Sequence, residues 1–254
     1  MSITQEYELE GMKEISHVVG TVLKEMRAHI EPGMSAKELD EYGGHLLKKY
    51  KAKSAPYETY KFPGWTCISV NKEVAHGIPG KKKIFREGDL VNIDVSAELN
   101  GFFADNGGSF VLGEDIHNFA PLVEASKFIL KKAINKIKGG VLISDIGHVI
   151  HTEAKKKGFT VIKNLAGHGV GRSLHEDPDD ILNYRDRFNR KRFKRNSVVA
   201  VETFISTKST IAVTEDDGWT LVGNKGGYTA QHEHTILITD KTPIILTESN
   251  EIWN

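Results

Sequence analysis

Four carboxylates interrupt otherwise apolar runs in this sequence. Asp94 breaks "LVNIDVSAEL", Asp105 follows in "GFFADN", Glu202 breaks "SVVAVETFIS", and Glu233 precedes Ile236, Leu237 and Ile238 in "AQHEHTILI". His168 lies between glycines in "AGHGVG", and His175 comes seven residues later. The first pair is the most informative. Asn100-Gly101 is a strong two-residue hairpin signal, because a type I′ turn needs positive φ at both central residues. Such a turn sets Leu99 opposite Phe102, and hence Asp94 opposite Gly107 and Ser96 opposite Asp105. With alternation of period two, both aspartates emerge on one face as diagonal neighbours, about 7–8 Å apart. Like charges that close repel unless a cation lies between them. Four acids balance two divalent ions, and oxygen ligands with one imidazole suit Co, Mn, Fe or Zn rather than a thiolate-selected metal. Two ions about 3.5–4 Å apart generate a nucleophilic hydroxide at neutral pH and clamp a tetrahedral intermediate, which is the chemistry of hydrolysis.

The elements that must position these residues recur along the chain. Helical periodicity runs through 4–29. After Glu31-Pro32-Gly33, Ser35 and Glu38 form a capping box that opens a second helix. Strands are predicted at 66–71, 90–99 and 102–112. A helix near 119–137, Gly139-Gly140, a helix capped by Ser144 and running to about Lys157, and strands from 160 onward repeat that order. Ser35 and Ser144 are 109 residues apart, Asp94 and Glu202 108. The reading is an α+β fold of two duplicated halves whose sheets enclose one shared site, with residues 1–254 forming a single domain.

Composition narrows the class. Lys+Arg and Asp+Glu are both 34, so no global field favours nucleic acid or membrane. Cys67 is the one cysteine, and no apolar run approaches the ~18 residues of a membrane span. A cytoplasmic protein is expected. The chain has no H-E-x-x-H helix for a single-zinc protease, and its Gly167-x-Gly169-x-Gly171 run lacks nucleotide-loop spacing.

Asp94, Asp105, His168, Glu202 and Glu233, in this order, resemble the five metal ligands of the methionine aminopeptidases. "NKEVAHGIPG", "NIDV", "GHGVG", "HEDP" and "AQHEHT" resemble type I members of that family, over about residues 5 to 248. The resemblance implies the duplicated pita-bread fold, with pseudo-symmetric halves and antiparallel sheets around a dinuclear site and helices outside. It implies that Asp105 and Glu233 bridge the ions, that Asp94 binds one, and that His168 with Glu202 binds the other. It also places His76 and His175 beside the scissile amide, makes Glu202 the proton shuttle, and lines the methionine pocket with Phe62, Cys67, Leu174 and Trp219. The expected substrates are nascent polypeptide N-termini with a small second residue, and the expected state is a monomer.

Departures from the family pattern occur at Asn106, Thr203, Leu174 and His232, and "RFKRN" replaces the usual Pro-Gly before the Glu202 strand. They bear on fine specificity and rate, since no ligand is lost. The stretch 185–196, "RDRFNRKRFKRN", reads as a solvated loop or, more sharply, as a docking element for ribosomal RNA. Rival functions are a proline-directed aminopeptidase of the same fold, a non-catalytic pita-bread binding protein, and an unrelated α+β metal-binding protein. His148 and His151 are expected at the surface.

Overall fold

The computed structural model describes residues 1–253. Helix α1 (Glu6–His29) starts at a Gln5/Glu8 capping box, carries acids in its first turn and ends with Arg27 and His29, matching the helix dipole at both ends. Its buried stripe, Met12, Ile15, Val19, Val22, Leu23 and Met26, follows helical spacing. Helix α2 (Ala36–Lys49) opens at the predicted box. Ser35 N–H donates to Glu38 Oε2 at 2.8 Å, and Glu38 N–H donates to Ser35 Oγ at 3.2 Å. Helices α3 (Ala55–Tyr60), α4 (Ala120–Ile134) and α5 (Ile143–Lys156) complete the set.

The cap of α5 corrects the sequence reading. Leu142, not Ser144, is the N-cap residue, its side chain makes no capping bond, and Ser144 is the second helical residue. Backbone pairing accounts for this start. Gly140 N–H donates to Phe193 O, Phe193 N–H to Val141 O, and Ile143 N–H to Lys191 O. The first half repeats the bracket: Gly33 N–H to Phe85 O, Phe85 N–H to Met34 O, and Ala36 N–H to Lys83 O. A helical N–H satisfied by a neighbouring backbone carbonyl needs no side-chain cap. The duplication is therefore registered on Gly33 and Gly140, both at positive φ, and Ser35 corresponds to Leu142.

The main sheet is 10-stranded. Its path runs from Lys53–Ser54 through Leu90–Leu99, Phe102–Val111, Thr229–Leu237, Val198–Ser206 and Ala166–Gly169 to Glu176–Leu182, with Cys67–Val70 also pairing Leu90–Leu99. The hairpin register is the predicted one, Asp94 opposite Gly107 and Ser96 opposite Asp105, with φ 54° at Asn100 and 81° at Gly101. The halves meet where Phe102–Val111 pairs Thr229–Leu237 through Gly108 and His232.

One face of this sheet is covered by helices. Helix α1 packs on the hairpin, and α4 on the Glu202 and Glu233 strands. The opposite face is left for the site. A three-stranded sheet of Ala212–Thr214, Leu221–Gly223 and Glu73–Ala75 places His76 and Trp219 at its ends. Among the described residues, no helix is long and apolar enough to cross a membrane.

Candidate active site

Register and alternation explain how distant residues converge. Cys67 pairs Asp94, Ser96 pairs Asp105, Glu202 pairs Glu233, and His168 pairs Ala200, two residues before Glu202. Directly paired residues share a face, as do residues two apart on a strand. All these side chains therefore emerge together. A cavity of about 300 Å³ opens there, lined by Asp94, Asp105, His168, Glu202 and Glu233 and by His76, His175, Phe62, Cys67, Leu174 and Trp219. Every site residue named from the sequence thus meets in one cleft.

The glycines beside His168 allow close backbone approach. A Cβ at Gly167 would lie 2.4 Å from the Ala200 carbonyl oxygen, and one at Gly169 2.5 Å from that of Asp177. His168 is thereby driven deep, where a ligand atom of Asp105, His168 and Glu233 can all lie within 4.8 Å of one another. His168 Nδ1 lies 2.9 Å from the Gly169 carbonyl oxygen. A carbonyl only accepts, so Nδ1 carries the proton and Nε2 presents a lone pair, 3.8 Å from Asp105 Oδ2. Burial, with His175 adding to it, pushes the His168 pKa down to about 3, so the ring is neutral. A neutral lone pair facing a carboxylate is an attractive arrangement only with a cation between them.

The acids carry the complementary signature. Burial raises Asp105 to about 6 and holds Asp94, Glu202 and Glu233 well above the usual carboxylate range, with repulsion from Asp105 reinforcing each of those three. Asp105 Oδ1 and Glu233 Oε1 are buried without a hydrogen-bond partner among the described residues. Buried carboxylate oxygens are costly to leave unpaired. The donor set, its charge and its orphaned oxygens fit divalent metal.

Sequence reasoning missed several wall residues. Gln231, in the same motif as Glu233 and two residues before it, donates from Nε2 to Glu233 Oε2 at 3.0 Å and to Glu202 Oε2 at 3.4 Å. Asn92 orients that amide by donating to Gln231 Oε1 at 2.8 Å. Period-two spacing from Glu233 and Asp94 was the available signal for both. Tyr60, Asp179 and Asp180 also line the cleft, and nothing in their spacing announced it. Asn106, Thr203 and His232 are buried, each at an odd step along its strand from a cleft carboxylate, and so lie on the helix-covered face. Of the four departures only Leu174 lines the cavity. His148 is exposed and His151 partly so.

His76 has φ 53°, a left-handed conformation uncommon outside glycine. The turn is pinned where Ser69 Oγ accepts from Gly77 N–H at 3.1 Å and Ile68 N–H donates to Gly77 O at 3.0 Å. Phe62 meets Trp219 edge-on, ring centroids 5.3 Å apart, forming the apolar end of the cleft.

Comparison with known proteins agrees with this site. The model of metallopeptidase family M24 matches residues 10–240. "Methionine aminopeptidase 2" of Bacillus subtilis (strain 168) is 49% identical over 248 residues, spanning 98% of this chain and 100% of that one. The chain belongs to the methionine aminopeptidases of family M24. A methionine aminopeptidase of Staphylococcus epidermidis is 42% identical over 99% of this chain and all of its own. The crystal structure of methionine aminopeptidase from Thermotoga maritima superposes with a TM-score of 0.91 at 38% identity, covering 97% of this chain and 99% of that one. Membership in this metallopeptidase family agrees with the expected pita-bread fold and with use of divalent metal.

Proposed function

We propose that this chain, residues 1–254 acting as one catalytic domain, hydrolyses the first peptide bond of polypeptides that begin with methionine and have a small second residue. The carrying observation is the convergence of five ligand-type side chains from both halves beside an apolar recess in a single cleft. Two divalent ions, Co, Mn, Fe or Zn, would be held by Asp94, Asp105, His168, Glu202 and Glu233. Bound there, such ions polarise the scissile carbonyl and activate water.

The chain's own groups do the rest. The methionine side chain enters the recess of Phe62, Cys67, Leu174 and Trp219, where burial and sulfur–aromatic contact favour an unbranched thioether. His175 donates to the carbonyl oxygen as negative charge grows on it, and His76 faces the leaving amide nitrogen. Glu202, at the half-buried side of the ligand group, holds the proton that passes to the departing amine. The second residue then sits between His76 and His175, which favours Ala, Gly or Ser. The motifs resemble the type I branch, and a monomer in the cytoplasm suits this work. For contact with the ribosome, the support is Phe188, 92% exposed, flanked by Arg187 and Arg190, which make no ion pair among the described residues. Reversing the charge of Arg187 and Arg190 should then weaken co-sedimentation with ribosomes, and unchanged co-sedimentation would reject the contact.

The test of activity is a panel of peptides beginning Met-Ala, Met-Lys, Leu-Ala and Ala-Pro, assayed with each metal in turn. Met-Ala should exceed Met-Lys by about 10–200-fold, the range of a size sieve. Trp219→Ala should raise Leu-Ala cleavage relative to Met-Ala. Faster cleavage of Ala-Pro would mean a proline-directed enzyme and would overturn the reading.

A further inference from the structure

Tyr60 stands at the cleft mouth, 47% exposed, with its phenol oxygen 2.7 Å from His175 Nδ1 and the two ring centroids 5.7 Å apart. It is the last residue of α3, a short helix fixed at both ends. Ser54 Oγ accepts from Tyr57 N–H at 3.3 Å and donates to the Trp65 carbonyl at 2.7 Å. At the other end Lys61 turns left-handed at φ 62° while its N–H donates to Tyr57 O at 3.0 Å. The phenol is thus held on a pinned mount, and among the described residues His175 Nδ1 is its one hydrogen-bond partner.

Two neighbouring imidazoles of the cleft, His168 and His175, lie with ring centroids 4.1 Å apart, yet their Nδ1 atoms meet opposite partners. His168 Nδ1 faces a carbonyl oxygen that only accepts. His175 Nδ1 faces a hydroxyl that has a proton to give. A phenol oxygen is a good donor and a poor acceptor, because its lone pair is delocalised into the ring. We infer that Tyr60 is a positioning residue that donates to His175 Nδ1 and so holds His175 in the Nε2–H tautomer. The neighbouring rings then have opposite duties: His168 turns a lone pair towards the carboxylates, and His175 turns an N–H towards the substrate. In the other tautomer, His175 would present a lone pair to a carbonyl oxygen gaining negative charge, which repels it. This inference rests on the role proposed above for His175, but its principal readout does not depend on turnover.

The test uses uniformly ¹⁵N-labelled, zinc-loaded protein, which is diamagnetic, and reads the histidine ring nitrogens by long-range ¹H–¹⁵N correlation, with His175→Gln assigning the signals. In the unsubstituted protein His175 should show a protonated Nε2 and an unprotonated, hydrogen-bonded Nδ1. Tyr60→Phe should give the averaged pattern of two exchanging tautomers. With a Met-Ala peptide it should lower kcat about tenfold with KM within about twofold, because orientation of the donor is lost while the binding surfaces remain. Adding Tyr60→Phe to His175→Gln should cost nothing further, as expected for a residue acting through another. A protonated Nδ1 in the unsubstituted protein, an unaltered ring pattern in Tyr60→Phe, or full kcat in that variant overturns the inference. Absence of methionine release by the unsubstituted protein would instead overturn the functional reading, and the ring nitrogens would still decide the tautomer.

Discussion

The two faces of the main sheet are built from alternate residues of the same strands, and they solve the burial of polar groups in opposite ways. On the helix-covered face the groups are neutral and bond to one another. His232 Nδ1 meets Ser126 Oγ at 2.9 Å, Ser126 meets Thr203 Oγ1 at 3.2 Å, and His234 Nδ1 meets Thr247 Oγ1 at 2.8 Å. Asn250 Nδ2 donates to Asn106 Oδ1 at 2.9 Å, and Asn106 Nδ2 donates to the Val95 carbonyl at 3.0 Å. Burial keeps both histidines uncharged, and their Nε2 atoms have no hydrogen-bond partner among the described residues. On the cleft face the groups are carboxylates, and two of their oxygens have no hydrogen-bond partner among the described residues. Self-contained neutrality marks a structural layer, whereas unsatisfied like charge marks a place for a ligand.

Substitution on the cleft face should have the largest effect. Asp105→Asn or Glu233→Gln should lower Met-Ala hydrolysis more than 100-fold and empty the site as measured by elemental analysis, with far-UV circular dichroism unchanged. Each replaces by a neutral amide a carboxylate charge that divalent metal held there would use. Normal metal content in both variants would remove these residues from the ligand set.

An intermediate effect follows from pH. A carboxyl whose folded pKa is raised binds more protons folded than unfolded, so its contribution to stability falls as pH rises from the unfolded value towards the folded one. Below about pH 6.5 the neutral buried His168 and His234, both pushed down to about 3, act in the opposite sense. Above it those histidines are neutral in both states, and Asp94, Glu202 and Glu233, held well above their usual range, dominate. Metal-free protein should therefore lose stability as pH rises above about 6.5, and zinc-loaded protein should not. Calorimetric Tm values that move in parallel for the two forms would contradict this.

The smallest effect is expected on the helix-covered face. His232→Phe removes one hydrogen bond but leaves Ser126 bonded to Thr203 and to the Ala230 carbonyl. Denaturant unfolding should shift by about 1 kcal/mol, with metal content kept and Met-Ala turnover within about threefold. Loss of metal in this variant would erase the distinction between the faces.

What the sequence disclosed depended on how local the determinant was. The turn at Asn100-Gly101 carries its own conformational demand, so the register of Asp94 and Asp105 was readable to the residue. Ser35 with Glu38 was legible for the same reason. Ser144 misled because a serine near a helix start is favourable at several positions, and the start of α5 is decided instead by backbone pairing with Lys191 and Phe193, some fifty residues away. The departures at Asn106, Thr203 and His232 could be seen as unusual but not assigned a face until the cleft carboxylates fixed the alternation. Tyr60 lies 115 residues from His175 in the chain, and no periodicity spans that distance.

His76 leaves a mark beyond the cleft. A non-glycine residue held at φ 53° carries about 1–2 kcal/mol of conformational energy that glycine at the same place would not. A search that rewarded thermal endurance alone would be drawn to His76→Gly and would discard the imidazole with the strain. With the role proposed for its imidazole, the residue marks a point where durability and activity would be opposed, and the turn between Ser69 and Gly77 is the scaffold that keeps the less comfortable choice in place.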